Sequence, residues 1–234
     1  MLDVRATEPE IIDDPACDSV LAASSYRFMT MINACTGGTA VVRRFLADKA
    51  REAGNGRTLR ILDVGAGSCD IPVAVSRWAA RRGIRLQFTC LEPSTKVIQL
   101  ARARLASESD NVQVLQEDVF KHQPVAPYDY ATASMCFHHF TDAQILDVLP
   151  RLRSFVRKGV LINDLRRTPL ALFGAYLLTI GAAAGVRHDA MVSVRRGFKS
   201  PELKALLQQV PDSALSIKAV WCFRVSAEVT FLRG

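Results

Sequence analysis

The residues with the clearest chemical pattern form a glycine-containing loop at 63–70, which reads DVGAGSCD. An apolar segment at 59–64 predicts a buried strand before the loop, and 71–82 predicts a helix after it. At such a strand-to-helix turn a nucleotide-like ligand can approach the backbone closely. Asp70 stands where a dinucleotide-binding loop has its third glycine, and its carboxylate would repel a pyrophosphate. The loop therefore favours a ligand with positive charge and no phosphate, and S-adenosylmethionine (SAM) is such a ligand.

Acidic residues also follow the next two predicted strands. Glu92 ends the second strand, 27 residues after Gly65, where its carboxylate can accept hydrogen bonds from both ribose hydroxyls. Asp118 follows the third strand and can accept a hydrogen bond from the adenine amino group, while Val119 packs on the ring. A single acid at a strand end often only caps the next helix. Acids at three successive strand ends, in order, favour an adenosine-containing ligand.

With these residues, the chain resembles the class I SAM-dependent methyltransferases over about 59–164 and the terminal hairpin. The similarity is greatest to small-molecule enzymes of the quinone-biosynthesis type, whose Gly-Gly-Thr-Gly-Asp-Ile loop resembles 67–71 here. This chain departs by placing Cys69 where a glycine is usual, which narrows the turn. The matched motifs are 62–67, Glu92, 117–119, and 129–131 together with 134–140. The resemblance implies a cofactor site formed by Asp63, Gly65, Ala66, Gly67, Ser68, Asp70, Glu92, Pro93, Asp118, Val119, Ser134 and Met135.

Alternating strands and helices must position this loop. They predict an α/β fold with a parallel, Rossmann-like, doubly wound sheet and right-handed crossovers. The resemblance implies seven strands with the last one antiparallel, and segments 215–220 and 225–232, around Trp221-Cys222-Phe223, predict that final pair. Residues 1–55 are predicted to form a loose acidic arm and a helical lid, and 56–234 the SAM-binding core. The candidates to cover the cofactor from the lid are Tyr26, Arg27 and Asn33.

Six positions are candidates for the chemistry of the acceptor. A base is needed only when the acceptor loses a proton, and histidine can supply one near neutral pH. His138, after the fourth strand, and His188 are the candidate catalytic bases, although packing or capping also explains each of them. The candidate substrate-binding residues are His139, Asp164 at the end of the fifth strand, Tyr176 and Arg195.

An uncharged segment at 168–186 lies within the predicted insertion at 165–200. Its length is near the lower limit of a membrane span, but its many small residues favour a buried or lid helix. Such a helix would cap the substrate site with an apolar roof and favour a lipophilic, aromatic acceptor such as a phenol, quinone or polyketide-like ring. A dimer face or peripheral contact with a membrane surface remains open. The predicted roof residues are Leu170, Leu172, Phe173, Tyr176, Leu177, Leu178 and Ile180.

The composition excludes several classes of protein. The chain has 234 residues, of which 49% are hydrophobic, so it is not a disordered chain. Its six cysteines form no CxxC pair, so we predict no metal site and expect free thiols in the cytoplasm. The acidic start at 1–18 shows no signal-peptide pattern. The net charge of +7 admits anionic substrates, membrane surfaces or nucleic acid, and selects none of them.

The sequence therefore predicts a cytoplasmic methyltransferase, monomeric or homodimeric, that acts on oxygen or carbon of a small molecule. Enzymes that methylate amino nitrogens commonly carry Asn-Pro-Pro-Tyr after the fourth strand, where this chain has 134–137, SMCF. That difference argues against an exocyclic amine. An RNA methyltransferase is the alternative that the basic body favours, but no RNA-binding module is appended and no nucleic acid is expected. A non-catalytic protein with the SAM-binding fold and a Rossmann oxidoreductase are weaker alternatives.

Overall fold

A seven-stranded sheet forms the centre of the protein. The structure is a computed structural model that describes residues 2–54, 56–106, 111–220 and 223–232. The strands are β1 (Thr58–Val64), β2 (Arg85–Leu91), β3 (Val112–Leu115), β4 (Tyr128–Ser134), β5 (Val156–Leu165), β6 (Ser213–Val220) and β7 (Arg224–Phe231). Their order is β3-β2-β1-β4-β5-β7-β6, with β7 antiparallel to both of its neighbours. The predicted α/β fold and antiparallel last strand are confirmed, although Trp221 and Cys222 of the predicted hairpin lie outside the described residues.

Helices cover both faces of the sheet. They are α1 (Ser19–Cys35), α2 (Gly38–Ala53), α3 (Asp70–Ala80), α4 (Thr95–Leu105), α5 (Asp142–Phe155), α6 (Pro169–Leu178), α7 (Ala184–Arg196) and α8 (Ser200–Leu207). Alternating side chains of β1 divide the core, because Leu59 and Ile61 pack with α2 and α3 while Leu62 and Val64 pack with α5. The same alternation along the strands gives the sheet two buried faces. The loops at the carboxyl ends of β1, β2 and β4 therefore meet at one edge of the sheet, where the predicted cofactor residues lie.

The N-terminal arm is docked on the protein, whereas its acidic composition predicted a loose segment. The guanidinium of Arg5 lies 2.6 Å from the carboxylate of Asp142 and donates to the carbonyl of Phe140 at 2.9 Å. The backbone amides of Ile11 and Ile12 donate to the carboxylate of Asp189 at 2.7 and 3.1 Å. Charges in the body of the chain therefore pair with the arm, and local composition could not reveal those partners.

The predicted apolar segment forms two helices separated by a turn. Helix α6 begins at a cap, since Thr168 accepts a hydrogen bond from the amide of Ala171, and Pro169 suits the first turn. Gly181 then adopts a left-handed conformation with φ of +81°, which a right-handed helix does not contain. The apolar segment is therefore not one continuous helix. Within the ranges that the structure describes, no helix is long and apolar enough to cross a membrane.

Candidate active site

A cavity of about 440 Å³ lies at the carboxyl ends of β1, β2 and β4, and we call it the cofactor cavity. This volume falls within the usual range for ligand pockets, about 300–1,000 Å³. The cavity brings together almost all of the predicted cofactor residues, because each of them ends a strand or begins the following turn. Those that line it are Gly65, Ala66, Gly67, Asp70, Glu92, Pro93, Asp118, Val119, Ser134 and Met135. Ser68 and Asp63 do not line the cavity.

The glycine loop and Glu92 fix each other in position. Gly65 and Gly67 have φ of +63° and +55°, a conformation that favours glycine. The amide of Gly67 donates to Oε2 of Glu92 at 3.0 Å, and the amide of Ser94 donates to Oε1 at 2.9 Å. Burial raises the pKa of Glu92, and these two amide hydrogen bonds oppose that shift. Both carboxylate oxygens are thus oriented at the edge of the cavity.

Two residues other than glycine also have left-handed backbone conformations at this site. Cys69 has φ of +57° and is fully buried at the start of α3, so it takes the conformation that the usual glycine would take. Met135 has φ of +54° directly after β4. Such conformations cost about 1–3 kcal/mol each and cluster at functional sites. Met135 is one of the residues that line the cofactor cavity.

Helix α1 closes the cofactor cavity from above. The ring of Tyr26 lies against Gly67, where an added Cβ would come within 2.8 Å of Cε1. The amide nitrogen of Asn33 donates to Oδ2 of Asp70 at 3.0 Å, and Arg224 donates to the amide oxygen of Asn33 at 2.8 Å. The predicted lid residues Tyr26 and Asn33 therefore line the cavity, whereas Arg27 is exposed and donates to Ser24 on the same helix.

Asp63 lies behind the wall of the cofactor cavity. Its Oδ1 accepts a hydrogen bond from the hydroxyl of Thr132 at 2.5 Å, and its side chain is almost fully buried. Burial raises the pKa of Asp63 to about 7; the charge of Asp70 also raises it, and the Thr132 hydrogen bond opposes the rise. Asp63 acts through the packing of the sheet beneath the loop, since it does not line the cavity.

We expect Asp63→Asn to change how stability depends on pH. The pKa of Asp63 is higher in the folded protein than in the unfolded chain, so the folded state loses relative stability as pH rises from about 4 to 7. The asparagine keeps an oxygen for Thr132 and carries no charge. The free energy of unfolding of the variant minus that of the native protein should rise by up to about 4 kcal/mol over this range. Urea unfolding of both proteins at pH 4, 5.5 and 7 measures this difference, and a constant difference would contradict the prediction.

His138 is buried between two carboxylates. Its Nδ1 lies 2.6 Å from Oδ1 of Asp164, whose Oδ2 accepts the backbone amide of His138 at 3.1 Å. Burial lowers the pKa of His138, but Asp164 and Glu10 outweigh burial and raise it to about 9. A histidine with this pKa is already protonated at neutral pH, so the structure does not favour the predicted role of His138 as a general base. Asp164, predicted to bind substrate, is fully buried beneath this ring and orients it instead.

His139 reaches the cofactor cavity, as a substrate-binding residue would. Its Nδ1 lies 3.1 Å from Oδ2 of Asp13, and its side chain is 26% exposed. Arg196 also lines this cavity and donates to the backbone carbonyls of His138 and His139 at 3.1 and 2.9 Å. These hydrogen bonds hold the turn that carries both histidines.

Three predicted residues lie away from the cofactor cavity and from the second cavity described below. His188 is half-exposed on α7, with Nε2 at 3.1 Å from Glu8 and Nδ1 at 3.2 Å from Asp189. Arg195 also pairs with Glu8, at 3.0 Å, and Tyr176 is 49% exposed on α6. Adjacent residues of a helix point in different directions, so on α6 and α7 the neighbours of these three residues point inward instead.

A second cavity, which we call the apolar cavity, lies between α1, α6 and α7. Ala171, Ala175 and Leu178 contribute one helical stripe, so Leu178 is the predicted roof residue that lines it. It is small in this structure, about 70 Å³. Other lining residues are Ile12, Phe28, Met29, Ile32, Met135, Leu165, Val186, Val194 and Phe223.

The two cavities share a wall. Ile12, Met29 and Met135 line both cavities. These side chains therefore separate the cofactor cavity from the apolar cavity, and methionine side chains are flexible. The hydroxyl oxygen of Ser25 is buried at the apolar cavity and has no hydrogen-bond partner within the described ranges. This oxygen is available for one polar group of a molecule bound there.

The sequence analysis missed the contribution of the arm to both cavities. Ile12 and Asp13 line the cofactor cavity, and Glu10 is 4% exposed beside His138 and lines the apolar cavity. One signal was present: two adjacent isoleucines, Ile11 and Ile12, interrupt an acidic segment. An apolar pair in such a segment indicates that the segment packs against something.

Comparisons with known proteins agree with this geometry. Residues 61–159 match the methyltransferase domain family. The plantazolicin methyltransferase BpumL in complex with SAH superposes with a TM-score of 0.69 at 12% identity, covering 92% of this chain and 95% of that chain. Magnesium protoporphyrin IX methyltransferase from Synechocystis PCC 6803 with bound SAM gives 0.55 at 10% identity, covering 83% and 80%. A putative O-methyltransferase from Nostoc punctiforme PCC 73102 gives 0.62 at 12% identity, covering 90% and 60%. A search of curated proteins found no match.

The sheet order, the glycine loop and the domain match define the class of this protein. The fold is the α/β Rossmann-like fold of methyltransferases, residues 61–159 match the methyltransferase domain, and the protein is a SAM-dependent methyltransferase. SAM is its cofactor, and the cofactor cavity is the candidate site for it. The predicted enzyme class and cofactor are thus confirmed, and the acceptor is the remaining question.

Proposed function

We propose that this methyltransferase transfers the methyl group of SAM to an oxygen or carbon atom of a lipophilic, aromatic small molecule, such as a phenol, quinone or polyketide-like ring. The observation that carries the proposal is the apolar cavity behind Met29 and Met135, directly beside the cofactor cavity. Its walls are mainly aliphatic and aromatic, which suits an apolar ring, and the unpaired hydroxyl of Ser25 suits one polar substituent. The resemblance to enzymes of the quinone-biosynthesis type supports the same class of acceptor.

Methyl transfer needs the donor and acceptor held close and in line, because the sulfonium already activates the methyl carbon. The glycine loop and Glu92 would hold the methionine and ribose ends of SAM, while the acceptor would approach through the wall formed by Ile12, Met29 and Met135. When bound, SAM would supply its methyl group to the acceptor atom and would leave as S-adenosylhomocysteine. A phenolic acceptor also releases its proton, and His139 is the histidine placed at the cofactor cavity.

The apolar cavity must widen to admit a ring, because its present volume of about 70 Å³ is well below the usual range for ligand pockets, about 300 Å³ or more. Two of its walls suit such a movement. Helix α6 buries mainly Ala171 on its inner side, and the arm reaches the cavity through Glu10 and Ile12. We propose that the predicted substrate cap at 165–200 moves at these two walls and so widens the apolar cavity.

The acceptor class is tested with methyl-labelled SAM and two sets of acceptors. One set is a panel of alkylated phenols and quinols, and the other is total ribosomal and transfer RNA. We expect label in one or more phenols or quinols and none in RNA, since the apolar cavity admits a ring but no polyanion. Label in RNA without label in the panel would contradict the proposal and favour the alternative substrate.

The outer face of α6 remains available for a further contact. Leu170 and Phe173 on α6, and Ile180 in the turn after it, are each more than half exposed, beside the proposed entrance to the apolar cavity. The sequence analysis left open a peripheral membrane contact or a homodimer at this segment, and this face is where either would form.

A further inference from the structure

A cluster of three potential metal ligands lies beside the cofactor cavity. Glu10 comes from the arm, and His138 and His139 come from the turn after β4. Oε1 of Glu10 lies 3.4 Å from Nε2 of His138 and 3.9 Å from Nε2 of His139. One potential ligand atom from each residue lies within 4.8 Å of the other two. The arm therefore completes a group that neither segment forms alone.

Both imidazole rings are oriented as metal-binding rings usually are. Nδ1 of His138 is hydrogen-bonded to Asp164 at 2.6 Å, and Nδ1 of His139 is hydrogen-bonded to Asp13 at 3.1 Å. A histidine that binds a metal usually donates its other ring N–H to a carboxylate, which fixes the ring and the tautomer. With each Nδ1 engaged in this way, the two Nε2 atoms remain and both point to the carboxylate of Glu10.

The buried atom Nε2 of His138 has no hydrogen-bond partner in the part of the chain that the structure describes. The side chain is 1% exposed, and a buried polar atom without a hydrogen bond is destabilising. The opposing side chain of Glu10 is 3% exposed and receives a hydrogen bond from the hydroxyl of Ser193 at 2.7 Å. The nitrogen and the carboxylate oxygen lie 3.4 Å apart in an ion-pair contact without a hydrogen bond, a spacing that two ligand atoms of one cation would also have.

We propose that Glu10, His138 and His139 bind a divalent transition-metal cation, and that Zn²⁺ fits the site best. Two imidazoles and one carboxylate form a ligand set found in catalytic zinc sites. Tetrahedral zinc with ligand bonds of about 2.0–2.2 Å places its ligand atoms about 3.3 Å apart, close to the observed 3.4 Å and within a small adjustment of 3.9 Å. The cation takes the place of the proton that His138 otherwise holds between Asp164 and Glu10.

A cation bound at this position would have two consequences. His139 also lines the cofactor cavity, so a coordination position left by the three protein ligands opens toward that cavity for water or another oxygen. Since Glu10 belongs to the arm, bound metal would also hold the arm across both cavities. The cysteine spacing considered in the sequence gave no sign of this site, because its ligands are 128 residues apart along the chain.

The proposal is tested on the full chain after removal of metal with a chelator. Equilibrium dialysis against Zn²⁺ with elemental analysis should give one zinc per chain, and Co²⁺ in its place should give visible absorption typical of a four-coordinate nitrogen and oxygen site. His139→Ala and Glu10→Gln should each weaken the affinity for zinc at least about 100-fold. Asp13→Asn, which keeps all three ligands, should weaken it about 10–100-fold.

His188→Ala is the matched control. His188 also lies between two carboxylates, Glu8 and Asp189, but has no second imidazole nearby. We expect this variant to bind zinc as the native protein does. Circular dichroism and SAM titration of every variant show whether the fold and the cofactor site survive, so a failure of the metal site is distinguishable from loss of methyltransferase function. Absence of bound zinc in the folded native protein would overturn the proposal in favour of a protonated His138, and an equal loss in His188→Ala would also overturn it.

Discussion

Gly65→Arg is expected to abolish detectable binding of SAM, with an affinity at least about 100-fold below that of the native protein. Gly65 has φ of +63°, and a Cβ at this position would collide with Sγ of Cys136 across the cofactor cavity. The longer arginine side chain would enter the space that SAM occupies or displace the loop. Isothermal titration calorimetry with SAM measures the loss.

The matched control for this prediction is Gly83→Arg. Gly83 has φ of +69°, so arginine there carries similar backbone strain of about 1–2 kcal/mol, but an added Cβ meets nothing within 4 Å. Thermal unfolding should show that both variants are destabilised, Gly65→Arg more so because of its collision with Cys136, while only Gly65→Arg loses SAM. If the two variants bind SAM equally well, the position of the cofactor at the glycine loop is wrong.

Ala175→Trp is expected to reduce methyl transfer at least about 100-fold in kcat/KM, equivalent to about 2.7 kcal/mol, while leaving the affinity for SAM within about threefold. Ala175 lies on the inward stripe of α6 and lines the apolar cavity, but it does not line the cofactor cavity. An indole ring at this position would fill the space that the proposed acceptor needs. The acceptor is the member of the phenol and quinol panel that the native protein methylates.

Leu177→Trp provides the comparison on the same helix. Leu177 is 46% exposed and lies on the outer side of α6, so the same indole ring would point away from the apolar cavity. We expect this variant to methylate the acceptor as the native protein does. Equal activity of Ala175→Trp and the native protein would show that the acceptor binds elsewhere, and loss of SAM binding in Ala175→Trp would show that the two cavities are not separate.

The cofactor site could be predicted from the sequence because its determinants are local. Each strand is an apolar segment that ends in a short turn, and parallel strands bring their carboxyl ends to one edge of the sheet. The residue types at those ends, such as Gly65, Glu92 and Asp118, therefore meet without any long-range information. Even Cys69, which departs from the usual glycine, keeps the required left-handed conformation.

The histidines and the insertion could not be predicted to the same depth. Adjacent residues of a helix differ in direction by about 100° around its axis. The rotation of α7 about its axis therefore decides whether Arg195 or Arg196 points inward, and the rotation of α6 decides between Ala175 and Tyr176. The protonation of His138 depends on Asp164 and Glu10, which are distant in the chain. No local pattern contains that information.

The fold class, the glycine loop and the cationic, phosphate-free cofactor follow from strand ends and residue charges, so they can be inferred from the sequence. The acidic arm, in contrast, is positioned by tertiary contacts. Its carboxylates are held by partners far along the chain, and this long-range pairing brings Glu10 to His138 and His139 and Ile12 to the wall between the two cavities. Packing of α7 against α1 and of α6 against α7 decided which of their side chains face the apolar cavity.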